Sequence, residues 1–471
     1  MTAPLKANGH GVMKFLPASK LPFLLITILA MLSTFVSHGE AAGLGSLKVV
    51  NRMGREANPS ASPGTMMSEL VRQHNARVRS RTSGSAGGVT AQLPATMSTG
   101  VVVGNHVVQV KLGSRKTELS LVLDTGSDVT WTQCQPCGQD STNCYSQRET
   151  IFDPSTSESY QDVPCNSSSC TNDVFEATGA GPQCLKSTKN PVAGKSTCTY
   201  GTAYASPDTY SSGNLGMDNL TLTAGAGAIR GFIFGCGQVN GFSGRDEAGM
   251  MGLGRSRLSI VSQTAKTFGK RFSYCLPTER GTGGHLTFGS PLPAAAKVTP
   301  FAVTARNGYF IDVLDISVNG QALNIGPQVF NASGTIIDSG ASFSMLPPAA
   351  FGALNDSFVR HLSKYPRAKG DGKSFNTCFN FTGFPDYQSI IPKISYTFAG
   401  PGKDPSVVHL NPSVAMVAIN LKDPLSQVCL AFGANRQKTD VGVFGNWQQQ
   451  SLEVFYDVAG GKLGFIEAKC T

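Results

Sequence analysis

Hydrophobic positions along this chain come in short runs rather than in the three-to-four spacing of long helices. Leu119-Ser120-Leu121-Val122-Leu123 is one such run and Gly334-Thr335-Ile336-Ile337 is another. Each is closed by an aspartate in a glycine turn: Asp124-Thr125-Gly126-Ser127 after the first, Asp338-Ser339-Gly340-Ala341-Ser342 after the second. Elsewhere short alternating or β-branched runs are separated by Gly, Pro and Asn, the pattern of strands ended by turns. The fold class expected is therefore all-β for the most part. At 471 residues the chain is too long for one ordinary core, so two lobes plus additional segments are expected.

A second pair of echoes follows the first. Gly249-Met250-Met251-Gly252-Leu253-Gly254 comes after the first aspartate turn, and Val441-Gly442-Val443-Phe444-Gly445-Asn446 after the second. Glycine is needed where one strand passes close behind another with no room for a Cβ. Two similar halves, each delivering an aspartate on a strand end, offer the pair of acids that hydrolysis by a carboxylate dyad requires.

The N-terminal region reads as targeting and processing sequence. An apolar run over residues 21–36 follows Lys14 and Lys20 and precedes Ala41, Ala42 and Gly43, so residues 1–42 are expected to be a signal peptide. The alternative, a retained anchor, needs about 20 apolar residues, which the run lacks. Residues 43–99 are rich in Arg, Ser, Gly and Ala and are expected to be a pro-region; a disordered basic linker is the other reading. Charge agrees with that division. The net charge is +9, yet residues 1–99 hold ten Lys and Arg against three Glu, so most of the excess is N-terminal. The remaining chain holds 29 Lys and Arg against 27 Asp and Glu, too small an excess to suggest a nucleic-acid partner, and none is expected.

All 12 cysteines lie between Cys134 and Cys470. An even number confined to the mature region suggests oxidised pairs in an extracytoplasmic compartment. Cys134-x-x-Cys137 is half of a zinc pattern, but no second Cys-x-x-Cys accompanies it, so no metal is expected. Acceptor sequons at Asn166, Asn219, Asn331, Asn355 and Asn380 fit a secreted glycoprotein.

These residues carry a family resemblance. The chain resembles pepsin-type aspartic proteases, in particular the plant nepenthesin-like branch. The resemblance runs from about Val101 to the C-terminus and rests on Asp124-Thr125-Gly126-Ser127-Asp128 with Trp131, and on the cysteine-rich insertion from Cys134 to Cys184. Further on it includes Ile233-Phe234-Gly235-Cys236-Gly237, Phe272-Ser273-Tyr274-Cys275-Leu276 and Gly445-Asn446-Trp447-Gln448-Gln449-Gln450. It implies a bilobal fold with a cleft between lobes at 100–295 and 296–471. It also implies catalysis by Asp124 and Asp338 on protein or peptide substrates, without a cofactor, in a secreted monomer. The apoplast is the expected location, with vacuole or plastid open. Support is implied for Thr125, Gly126, Ser127, Trp131, Tyr204, Ser339, Gly340, Ala341 and Ser342. Cys378 and Cys429 are the expected C-lobe pair; the cysteines from Cys134 to Cys198 are expected to pair mainly among themselves, and Cys236 or Cys275 to reach Cys470.

Two departures stand out. Ala341 replaces the hydroxyl residue many relatives carry, and Tyr204 is followed by Ala205-Ser206-Pro207-Asp208 where relatives have Gly-x-Gly. The altered flap keeps a second reading open, that of a non-catalytic binding protein or glycosidase inhibitor on the same fold.

Overall fold

The computed structural model describes residues 91–97, 105–137, 143–186, 196–204, 209–222, 228–242, 246–277, 284–304, 306–372, 375–420, 422–468 and 470. The expected signal peptide, most of the expected pro-region and the flap residues 205–208 lie outside these.

Strands dominate, as the short runs predict. The largest sheet has 15 strands and draws on both halves of the chain. Toward one end of it Arg271–Cys275 pairs antiparallel with Leu452–Asp457, so a strand before residue 295 is hydrogen-bonded to one near the C-terminus. Lys462–Glu467 and Lys297–Pro300 extend the sheet on one side. Gly284–Phe288 and Ala91–Met97 extend it on the other. Phe272 stacks on Tyr456 across this junction, with ring centroids 4.3 Å apart. Three further sheets, of five, four and four strands, build the rest of the C-terminal half.

One helix is substantial. Pro348–His361 begins with proline at its first position, where a missing N–H costs nothing. Its buried residues, Ala350, Leu354, Ser357 and Phe358, lie on one helical face. All 12 cysteines are paired: Cys134–Cys236, Cys137–Cys144, Cys165–Cys184, Cys170–Cys198, Cys275–Cys470 and Cys378–Cys429. The C-lobe pair is the one expected. The insertion cysteines pair among themselves apart from Cys134, which crosses to Cys236, and Cys275 is the residue that reaches Cys470.

Ala91–Met97 falls inside the stretch that composition assigns to the pro-region, yet it is a sheet strand. It pairs with Gly284–Phe288 on one edge and with His106–Leu112 on the other. Ala91, Leu93 and Ala95, at period two, are buried in the main core. Next to it His106 is fully buried, with Nε2 3.3 Å from the Pro277 carbonyl oxygen, a geometry in which Nε2–H donates. Burial lowers its pKa to about 4, the hydrogen bond to Pro277 opposing the shift. A chain starting at residue 100 would expose the edges on both sides of the missing strand. We expect it to be recovered insoluble, and a chain starting at Ala91 to be soluble and cooperatively folded by thermal denaturation. Equal folding of both would remove the structural role of this strand.

Candidate active site

Strand Thr117–Asp124 ends at the first aspartate and runs parallel to Gly249–Gly252, with Asp124 opposite Gly252. Strand Thr335–Asp338 ends at the second and runs parallel to Gly442–Gly445, with Asp338 opposite Gly445. The echo in the sequence is thus the same local fold built twice. In each copy the closing glycine lies against the chain just past the aspartate: a Cβ on Gly252 would strike the Asp128 backbone, and one on Gly445 the Phe343 backbone. Each closing glycine donates its N–H to a hydroxyl six residues after the aspartate, Thr130 at 3.2 Å and Ser344 at 3.1 Å. That matched pair was legible as a spacing but was not singled out from the sequence.

The two turns meet. The Thr125 N–H donates to Ser339 Oγ at 3.0 Å, and the Ser339 N–H donates to Thr125 Oγ1 at 2.9 Å. Ser339 Oγ in turn donates to the Leu123 carbonyl at 3.0 Å. Thr125 and Ser339 have no exposed surface, so these bonds work in a dry setting and clamp one turn to the other. Asp124 and Asp338 are also buried, at 1% and 7% exposure. Asp124 Oδ1 accepts the Gly126 N–H at 3.0 Å, and Asp338 Oδ1 accepts the Gly340 N–H at 2.8 Å. Each carboxylate also packs on the opposite turn. A Cβ on Gly126 would come within 3.0 Å of the Asp338 carboxylate, and a Cβ on Gly340 would do the same to Asp124. The glycines are what let the two acids approach.

The symmetry breaks at one atom. Ser127 Oγ donates to Asp124 Oδ2, whereas the equivalent position is Ala341, buried against Phe310, Ile336, Met345 and Val443. A hydroxyl donating to a carboxylate favours its charged form, and position 341 supplies none. An Ala341→Ser or Ala341→Thr variant is therefore expected to have its pH–rate profile displaced toward acid, the natural chain having the less acidic optimum. No displacement, or one toward alkali, would refute this.

Behind the second turn a buried polar chain supports Asp338. Gln449 Nε2 donates to the Asp338 carbonyl at 3.3 Å and to the Phe444 carbonyl at 2.7 Å. Its Oε1 accepts the Tyr274 hydroxyl, which lies 2.9 Å from that of Tyr456. Burial pushes both phenols far up, so they remain neutral hydrogen-bonding groups. Asn446 Nδ2 holds the Ser339 carbonyl at 3.0 Å. The Ser342 carbonyl accepts the Trp447 N–H at 2.9 Å.

Ser196–Ala203 and Tyr210–Leu222 form an antiparallel hairpin, and the Tyr204 N–H bonds to the Thr209 carbonyl at 2.9 Å where it narrows. Trp131 Nε1 donates to the Tyr204 hydroxyl at 2.7 Å. A cavity of about 270 Å³ lies between the first aspartate turn and this hairpin. Its outer wall is the short helix Val174–Thr178 of the cysteine-rich insertion, tied to the hairpin by Cys170–Cys198. Its floor includes Asp128, whose Oδ1 accepts the Ser256 N–H and whose Oδ2 accepts Asn307 Nδ2, both at 2.7 Å. Asn307 comes from the other half of the chain, 179 positions away, a separation no local pattern reveals.

Two buried aspartates, one from each of two duplicated halves and interlocked through their neighbouring hydroxyls, define the pepsin-type class of protein. The comparisons narrow the class. The chain matches the family described as Xylanase inhibitor N-terminal over residues 106–290 and that described as Xylanase inhibitor C-terminal over residues 308–467. It is 41% identical to an aspartyl protease family protein of Arabidopsis thaliana, over 81% of this chain and 76% of the relative. It is 30% identical to the aspartic proteinase nepenthesin-1 of Nepenthes gracilis, over 80% and 81%. Among solved structures, Basic 7S globulin from soybean superposes with a TM-score of 0.61 at 20% identity, over 81% of this chain and 98% of that one, a likeness of fold. The chain belongs to the plant aspartyl proteases of the pepsin-like, nepenthesin-containing family.

Proposed function

We propose that the protein is a secreted aspartic-type endopeptidase in which Asp124 and Asp338 are the catalytic pair. The observation that carries the assignment is the reciprocal packing of each carboxylate on the other turn's glycine, which gives two acids one shared working face. Two such acids cannot both ionise cheaply, so one keeps its proton; aspartic proteases are the standard case of this effect. The ionised member takes a proton from a water between them. The protonated member donates to the scissile carbonyl oxygen as the water oxygen attacks the carbonyl carbon. The tetrahedral diol then collapses, with a proton passed to the departing amine. The pair titrates as a unit, so neither aspartate owns one role.

The inhibitor reading, with an idle dyad, is not favoured, because both aspartates retain their glycine turns and the curated relatives are named as proteases. Secretion is supported by the six disulfides and by exposed sequon asparagines at Asn166 and Asn331; Asn219, Asn355 and Asn380 are half-buried. Among the described residues no helix is long and apolar enough to cross a membrane. Any activating cut in the pro-region falls before Ala91, since later cleavage would remove a core strand. The protein acts as a monomer in this reading.

The test is digestion of a denatured protein at acidic pH, with pepstatin and with Asp124→Asn. Cleavage is expected in the natural chain and should vanish in both controls. Cleavage that survives Asp124→Asn would rule this site out.

A further inference from the structure

The cavity beside the dyad has polar and charged residues in its wall. Ser127, Asp128, Glu176, Thr202, Arg255 and Asn307 all contribute to its lining. Arg255 stands three residues beyond Gly252, the residue paired with Asp124, so it reaches the cavity from a strand end fixed to the reacting centre. Three of the lining residues carry charge-bearing groups, and they are not equivalent. Asp128 is committed to Ser256 and Asn307 through both oxygens. Arg255 spends Nη1 on the Gly308 carbonyl at 3.2 Å, and its guanidinium is held 5.3 Å from the centre of the Phe301 ring. That contact uses one of five N–H donors on a flat, fixed group. Glu176 is half-buried on the insertion helix, with Asp173, Arg257 and Lys270 around it. Burial pushes its carboxyl up, against the lowering effect of Arg257 and Lys270.

We propose that this cavity is a substrate subsite selecting a carboxylate-bearing side chain, with Arg255 as the specificity-determining residue. The inference rests on the endopeptidase reading above. A fixed guanidinium matches a carboxylate in two parallel hydrogen bonds, and the hydroxyl and amide groups of Ser127, Thr202 and Asn307 line the same cavity.

The experiment uses the full-length, correctly oxidised protein after activation. Peptide pairs identical except for Glu or Gln, placed in turn at each position around one cleavable bond, are compared at about pH 5, where a free Glu is mostly ionised. The natural chain should favour Glu at one position by about tenfold in kcat/KM, the gain residing in KM. Arg255→Met should bring that ratio to about one, and Arg255→Lys should fall between. Should Arg255→Met fail to fold, Arg255→Gln serves in its place and should likewise bring the ratio to about one. A natural chain with no preference at any position overturns the proposal, as does a preference indifferent to these substitutions. If no peptide is cleaved at all, the endopeptidase reading falls and takes the proposal with it; cleavage without Glu preference removes the subsite alone.

Discussion

Gly340→Ala lowers kcat/KM by at least about a hundredfold, and Gly126→Ala does the same; these are the largest effects expected from a single added methyl group. The added Cβ at 340 would fall within 3.0 Å of the Asp124 carboxylate, and at 126 within 3.0 Å of that of Asp338. Neither acid has room to withdraw, because both are buried and each is held by the amide of its own turn. The carboxylates must therefore separate or rotate, and a displacement of about 1 Å at a reacting centre is enough for a loss of this size. Steady-state kinetics on one peptide, with circular dichroism to confirm folding, checks the result. Gly352→Ala is the control: its Cβ would meet nothing within 4 Å in the helix Pro348–His361, so activity should be unchanged and stability slightly raised. A Gly340→Ala enzyme with near-normal kcat would mean that the carboxylates do not approach as described.

Ser339→Ala is expected to cost about 2–5 kcal/mol in unfolding free energy, far more than its lost volume suggests. The hydroxyl accepts from the Thr125 N–H and donates to the Leu123 carbonyl, so its removal strands two buried backbone groups from the other half of the chain. Each such group costs about 1–3 kcal/mol when left unpaired. Thr125→Val removes the partner of the Ser339 N–H and should fall in the same range. Ser339→Thr keeps the oxygen and should retain both stability and activity. Urea denaturation of the three variants reads the difference. A Ser339→Ala protein within about 0.5 kcal/mol of the natural one would show that the interlock contributes nothing to stability.

Much of the site was legible because the chemistry is local. An aspartate, a hydroxyl and a glycine in three consecutive positions, twice, indicate where the acids sit and what holds them. The closing glycines at 252 and 445 follow from close strand packing, and Cys378–Cys429 follows from the family resemblance. What escaped depends on long-range assembly. The Asp128–Asn307 bond and the Tyr274–Gln449 support join parts of the chain that no spacing relates. The cavity wall comes from an insertion helix of five residues, Val174–Thr178, too short to register as a period and positioned by a disulfide. Ala91–Met97 has its alternation, but in Ala-Leu-Ala rather than in large residues, and a compositional reading passes over it.

The buried imidazole of His106 makes the fold less stable in acid. An unfolded histidine takes up its proton near pH 6.5, whereas this one resists until about pH 4. Because the folded pKa is depressed, the unfolded chain binds the extra proton throughout that interval, and stability falls as pH falls across it. Below pH 4 the loss levels off at about 3 kcal/mol, from the 2.5-unit difference. Acid thus works against the joint between the first two strands, through a base that takes no part in the proposed chemistry.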